Sequence, residues 1–170
     1  MLVVVSDTHS TDDPKLRGRT REAVEAAEVV VHAGDFYREP VLDAFERTAA
    51  GTLRAVFGNN DEAAIRERLP EVRTVEFDGV RLAVTHRHRS GDTGLVMLAR
   101  GRDADAAICG HTHRPRFDDS TGVPILNPGS HAQPRGNRPA HAELDPIDGG
   151  LDGRLVTPDG DVFERFRIEG

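Results

Sequence analysis

Three short apolar runs, Leu2–Val5 (LVVV), Val29–His32 (VVVH) and Leu53–Phe57 (LRAVF), are spaced along the first third of the chain. The first is continuous and β-branched but for its leading leucine, as expected of a strand covered on both faces. Between them the composition turns helix-forming. Arg19–Glu28 places Ala23, Val24 and Ala27 on one face, Val41–Ala49 reads as a second helix, and Asp61–Leu69 as a third with Asp61 in the N-cap position. A β-α-β-α-β-α order calls for a parallel sheet with helical crossovers.

The second half changes character. Val72–His86 (VRTVEFDGVRLAVTH) reads as a hairpin turning at Asp78-Gly79, and a short helix around Leu95–Arg100 precedes a strand at Ala106–Cys109. Strands and turns follow at 123–130, 139–145, 153–160 and 161–168, the last three as a meander with Gly- and Pro-rich turns. Residues 1–170 therefore read as a single α/β domain with two sheets face to face and helices outside.

Composition narrows the function classes. At 170 residues, 37% hydrophobic and 30% charged, the chain is long enough to bury a proper core. It has no apolar run near the roughly 20 residues of a membrane span, and its first residues lack a basic n-region. A cytoplasmic protein is expected. Cys109 is the only cysteine, so no internal disulfide and no cysteine-rich zinc module can form. The net charge of −7 argues against broad nucleic-acid or membrane binding.

Polar clusters punctuate the strands. Ser6–His9 (SDTH) follows the first, His32–Asp35 (HAGD) the second and Phe57–Asp61 (FGNND) the third. Thr85–His88 (THRH) follows the hairpin, and Gly110–His113 (GHTH) follows the strand at 106–109. In an extended chain His111 and His113 would face the same side. Ligands of α/β sheets bind at the C-terminal strand ends, and each cluster supplies a carboxylate, an amide carbonyl or an imidazole. Turn and cap chemistry explains any one cluster; five in one topological position point to a metal site.

In this order the motifs resemble those of the calcineurin-like metallophosphoesterases, D-x-H, G-D, G-N-x-D, H and G-H-x-H. The small, single-domain prokaryotic phosphodiesterase branch, related to the retromer scaffold subunit, is the nearest match; Asn127–Ser130 (NPGS) and Gln133–Arg135 (QPR) also look like that branch. The resemblance implies a four-layer α-β-β-α sandwich of two mixed sheets, with a dinuclear metal site at the C-terminal ends of strands. By analogy Asp7, His9, Asp35 and His113 hold one ion, and Asp35, Asn59, His86 and His111 the other, with Asp35 bridging. It implies hydrolysis of small phosphodiesters with a metal-bridging hydroxide as nucleophile. Oxygen and nitrogen ligands without sulfur favour transition metals, manganese foremost and otherwise nickel, iron, cobalt or zinc.

Two positions depart from the pattern. Asn60 stands where many members carry the histidine that protonates the leaving oxygen, and His86-Arg87-His88 stands for H-G-H. His88 then orients a ligand or phosphate, or serves as the general acid, so Asp35, Asn59, Asn60 and His88 form the candidate catalytic set. His32, His131 and His141 read as structural or exposed. A metal-binding scaffold with little catalysis, and a nuclease, are the alternatives; the filled ligand positions count against the first, and the acidic balance against the second. The expected partner is a small phosphodiester, with no membrane and with homo-oligomerisation left open.

Lys15 is the only lysine among 22 basic residues. An acidic, lysine-poor surface suits high salt; arginine-biased coding is the alternative. If salt is the reason, the melting temperature keeps rising with KCl into the molar range, where the Debye length is already about 3 Å and simple screening is complete. A melting temperature flat above a few tenths molar assigns the composition to coding bias.

Overall fold

A computed structural model of the chain describes residues 1–49 and 52–170. The first half runs β1 (Leu2–Val5), α1 (Gly18–Ala26), β2 (Val29–His32), α2 (Glu39–Thr48), β3 (Leu53–Ala55) and α3 (Ala63–Arg68). Then come the hairpin β4 (Val72–Phe77) and β5 (Val80–Thr85), α4 (Gly91–Arg100) and β6 (Ala106–Ile108). The chain ends with β7 (Arg116–Asp118), β8 (Ile125–Asn127), β9 (His141–Ile147), β10 (Gly150–Val156) and β11 (Val162–Glu169).

Two mixed sheets result. One has the order β11-β10-β9-β1-β2-β3, the other β4-β5-β6-β8-β7. The parallel register of β1, β2 and β3 (Val3 opposite Val30, Val30 opposite Leu53) is the one that helical crossovers impose. The predicted meander pairs back onto β1 through β9, with Leu144 opposite Leu2, and so extends the first sheet.

Strand alternation sorts the core into three layers. Leu2, Val4 and Val31 face Leu82, Val84, Ile108 and Leu126 between the sheets. On the outer face of the first sheet Val3, Val5 and Val30 meet Val24 of α1, Leu42 and Phe45 of α2 and Ile65 of α3. Ala83, Ala107 and Ile125 meet Leu95, Val96 and Ala99 of α4 outside the second. The chain is the four-layer α-β-β-α sandwich expected.

Three local expectations need correction. Asp61 is not an N-cap: α3 begins at Ala63 after Glu62, because the Asp61 carboxylate is taken by the backbone N–H groups of Asp35, Tyr37 and Gly58. The helix around 95–100 starts four residues earlier, at Gly91. The edge strand β7 was not anticipated, because three residues of Arg-Phe-Asp carry no readable period.

One buried ion cluster ties the first sheet to α1. The Glu143 carboxylate on β9 accepts from Arg19 Nε and Nη2 at 2.7 and 2.8 Å, and from Arg154 Nη2 at 2.7 Å. His141 Nε2 lies 2.9 Å from its other side, and His141 Nδ1 is 3.0 Å from Thr20 Oγ1. Burial alone would raise the Glu143 carboxyl, but His141 and the two guanidiniums hold it well below the usual carboxylate range. A depressed carboxyl stabilises the fold above its unfolded value, ordinarily 4.5, and the benefit is lost as pH falls below it. Glu143→Gln should therefore cost about 2–3 kcal/mol at pH 7, less than a fully buried pair because both guanidiniums reach solvent. Urea unfolding tests this; the gap between variant and parent should narrow below pH 4.5, and equal midpoints at neutral pH would remove the anchoring role.

Candidate metal centre

The loops after β1, β2 and β3 of one sheet, and after β5 and β6 of the other, all leave from the same edge of the sandwich. Asp7, His9, Asp35 and Asn59 come from the first sheet, and His86, His111 and His113 from the second. The backbone that presents them is strained. Asp7 (φ 55°), His9 (φ 44°), Asp35 (φ 62°), His111 (φ 70°) and His113 (φ 57°) all adopt left-handed conformations. Non-glycine residues there cost of order 1–3 kcal/mol each, and such residues cluster at functional sites. His111 and His113 are thus not in the extended chain that their spacing suggested. His113 still reaches the cluster, and His111 stands beside it edge-on to His86, because β6 ends at Ile108 and the loop turns through Gly110.

Two glycines permit the close approach. A Cβ on Gly58 would lie 2.1 Å from Asp35 Oδ1, and one on Gly110 would lie 2.0 Å from Ser6 Oγ and 2.7 Å from Asp7 Oδ2. Any side chain at either position would push a carboxylate out of place.

Asp7, His9 and His113 form one group that could hold an ion, and Asp7, Asp35 and His86 another. Asp35 Oδ2 lies 3.2 Å from His9 Nε2 and 3.2 Å from His86 Nε2. His113 Nε2 lies 3.2 Å from Asp7 Oδ1. The His9 and His113 rings stack at 4.9 Å, and His111 stands edge-on to His86 at 5.3 Å.

Backbone carbonyls fix the tautomers. His86 Nδ1 donates to the Ala33 carbonyl at 2.7 Å, and His113 Nδ1 to the Gln133 carbonyl. A carbonyl can only accept, so the proton sits on Nδ1 and each Nε2 turns a lone pair inward. The carboxylates are held from behind in the same way. Asp7 Oδ2 accepts from Ser6 Oγ and the His111 N–H, and Asp35 accepts from the Asn60 N–H and side-chain amide, both at 2.8 Å.

Donors therefore lie outside and lone pairs inside. Asp7 Oδ1, His9 Nε2, Asn59 Oδ1, His86 Nε2 and His113 Nε2 are all buried without a hydrogen-bond partner. Buried polar atoms are rarely left so, and lone pairs facing each other at 3.2 Å repel unless a cation or proton lies between them. In the protein alone His9 and His86 gain proton affinity: burial opposes it, but Asp35 and Asp7 push His9 up to about 9, and Asp35 raises His86 as well. Burial would raise both carboxyls, yet His113 and His9 hold Asp7, and His86 and His9 hold Asp35, well below the carboxylate range. Burial, His86 and Arg87 lower His111. An oxygen- and nitrogen-lined cluster of orphaned acceptors fits divalent transition-metal ions.

The remaining candidates behave differently. Asn60 spends its amide on Asp35 and so braces the carboxylate. His88 is exposed, with Nδ1 accepting from the Ser90 N–H at 3.2 Å and its ring against Gly94. No hydrogen bond joins it to the cluster among the described residues.

Several supports had no sequence signal or were misread. Asp61 Oδ2 accepts from the Asp35 and Gly58 N–H groups at 3.0 and 2.7 Å, and Oδ1 from Tyr37 N–H at 2.7 Å, clipping the β2 loop to the β3 loop. His32, fully buried, accepts from the Gly34 N–H at 3.2 Å and meets Thr8 Oγ1 at 3.0 Å, joining the β2 loop to the β1 loop. Ser130 Oγ donates to the Asp7 carbonyl at 2.7 Å.

Comparison with known proteins agrees with this geometry. The model of the calcineurin-like phosphoesterase superfamily domain matches residues 1–146. A phosphodiesterase of Methanocaldococcus jannaschii is 31% identical over 142 residues, which cover 74% of this chain and 81% of that one. The structure described as a novel archaeal phosphodiesterase superposes with a TM-score of 0.70 at 28% identity, covering 91% of this chain and 99% of the other. Vacuolar Protein Sorting 29 of Cryptosporidium parvum shares the fold, with a TM-score of 0.79 at 17% identity, covering 99% and 97% of the two chains.

The Asp61 clip can be tested apart from the cluster. Asp61→Asn turns one acceptor into a donor facing backbone N–H groups, which should cost about 1–3 kcal/mol in urea unfolding. It should also weaken manganese binding, because Asp35 loses its brace. Calorimetric titration that finds unchanged affinity in a destabilised variant would limit Asp61 to folding.

Proposed function

The chain belongs to the calcineurin-like phosphoesterase superfamily, and we propose that this hydrolase of phosphoester bonds acts on phosphodiesters with the help of two divalent metal ions. The observation that carries the reading is Asp35 Oδ2, 3.2 Å from Nε2 of both His9 and His86. One oxygen equidistant from two separate imidazoles would suit a bridge between two ions. Asp7, His9, Asp35 and His113 would hold one ion, and Asp35, Asn59, His86 and His111 the other. When bound, such a pair supplies Lewis acidity to a phosphoryl oxygen and brings the pKa of a water near neutral.

The chain's own groups set the rest. Asn60 holds both Asp35 oxygens, so the carboxylate cannot swing toward either imidazole alone. With its amide committed there, Asn60 protonates nothing. His88, whose Nδ1 accepts from the Ser90 N–H, keeps Nε2–H as a hydrogen-bond donor for a phosphate oxygen, and would serve as general acid only as the imidazolium, which gives up the Ser90 contact. The similarity to an archaeal phosphodiesterase supports the diester as substrate.

Manganese-loaded protein should hydrolyse a series of aryl phosphodiesters, lose that activity with chelators, and bind two ions per chain. Asp35→Asn should reduce occupancy of both sites and abolish turnover. Positioned general-acid help is typically worth about 10²–10⁴-fold; without a histidine at position 60, rates should fall steeply as leaving-group pKa rises. Two bound ions with no turnover of any diester would favour the scaffold reading. A shallow dependence that survives His88→Ala would point to an acid other than His88.

A further inference from the structure

The two sheets that meet at the cluster carry loops of opposite charge. The first sheet's loops hold both carboxylates of the cluster and, beyond them, Asp12, Asp13, Asp61 and Glu62 against Lys15, Arg17 and Arg38, with Glu39 opening α2. On the second sheet the segments at this edge, 85–91, 109–115 and 128–140, contain no Asp or Glu, and the neighbouring Asp92 at the start of α4 is taken by Arg116. Arg87, Arg89, Arg114 and Arg135 stand in them, in a chain whose net charge is −7.

Many of the other arginines are matched. Arg38 pairs with Glu62, Arg68 with Glu39, Asp43 and Glu46, Arg81 with Glu76, Arg116 with Asp92 and Arg154 with Glu143. The guanidiniums of Arg87, Arg114 and Arg135 have neither ion pair nor hydrogen bond among the described residues, and all three residues are exposed.

Their positions follow the site. Arg87 directly succeeds His86, and Arg114 directly succeeds His113. Arg135 lies two residues past Gln133, whose carbonyl receives the His113 Nδ1 proton. Arg135 is also strained. The turn closed by the Asn137 N–H on the Pro134 carbonyl puts Arg135 at φ 50° and Gly136 at φ 83°. Two successive left-handed residues favour Asn, Asp or Gly at the first. An arginine there gains nothing from within the chain.

We propose that this rim receives a second anionic group of the substrate, so that the phosphodiester cleaved here carries a further phosphate beside the scissile one. The inference rests on the phosphodiesterase reading above and names its substrate class. Guanidiniums match phosphate oxygens two at a time, and no carboxylate in these loops competes for them. On the opposite rim Glu39 and Glu62 are already paired with Arg68 and Arg38, but Asp12 and Asp13 have no ion pair among the described residues and would repel the same group. Attraction on one side and repulsion on the other fix which way a doubly anionic substrate lies across the ions.

Thymidine 5′-(p-nitrophenyl phosphate), with and without a 3′-phosphate, isolates the second charge while the leaving group stays constant. With manganese-loaded full-length protein, the 3′-phosphate should raise kcat/KM at least tenfold, chiefly through KM. Arg114→Gln with Arg135→Gln should remove most of that advantage, while Arg102→Gln, beyond α4, should leave it intact. Equal kcat/KM for the two esters, or an advantage untouched in the double variant with a native melting temperature, would overturn the proposal. Equilibrium binding separates this result from the activity. Thymidine 3′,5′-bisphosphate should bind the manganese-loaded chain at least tenfold tighter than the 5′-monophosphate, and the double variant should lose the difference. That preference without turnover of either ester would sink the phosphodiesterase reading and keep the rim; equal binding would sink the rim.

Discussion

Inward-facing lone pairs are the constraint around which this end of the molecule is arranged. His86 and His113 each hand their Nδ1 proton to a backbone carbonyl, and so cannot avoid aiming a bare Nε2 at a carboxylate oxygen. Asp7 and Asp35 receive their donors from the outer side and turn their remaining capacity inward. Such an arrangement is unfavourable by itself. The strain of five left-handed residues at the cluster, of order 1–3 kcal/mol apiece, is comparable in sum to the whole net stability of an ordinary domain. It persists only because the surroundings leave the loops no alternative.

Those surroundings are hydrogen bonds between loops more than within them. Asp61 gathers three N–H groups from the β2 and β3 loops, and His32 joins the β2 loop to Thr8. His32 is itself sandwiched in the core, stacked at 3.6 Å on Phe36 and edge-on to Phe45. Burial drives its pKa down, so it remains neutral and keeps the acceptor that the Gly34 N–H requires. Packing of the outer helical layer is in this way transmitted to the spacing of Asp7 and Asp35.

Much of this was legible in the sequence, and the exceptions share a cause. Strands β1 and β2 and the turn at Asp78-Gly79 follow from period and turn chemistry, which are local, and the structure has them where expected. The order of the polar clusters was also readable, since each follows an apolar run. Asp61 was misread because N-cap preference is a local statistic, whereas its real partners lie up to 26 residues away. The H-x-H spacing was read as extended because period says nothing of positive φ at a histidine. The Ala33 and Gln133 carbonyls left no trace at all, since every residue has a carbonyl and only the fold selects which one faces an imidazole.

The division of the cluster between two sheets has a further consequence. Both carboxylates, an amide and one imidazole come from one sheet and imidazoles alone from the other, so no single sheet can assemble either proposed ion site. Their separation is set by the layer between the sheets, where Leu2, Val4 and Val31 meet Val84, Ile108 and Leu126. Interiors of this kind are close-packed, and a change of one methylene is felt by its neighbours. The 3.2 Å contacts across the cluster are therefore fixed as much by aliphatic side chains with no chemistry of their own as by the residues that would touch a metal. A softer core would let the two half-sites drift apart, and the place of Asp35 Oδ2 between His9 and His86 would be lost first.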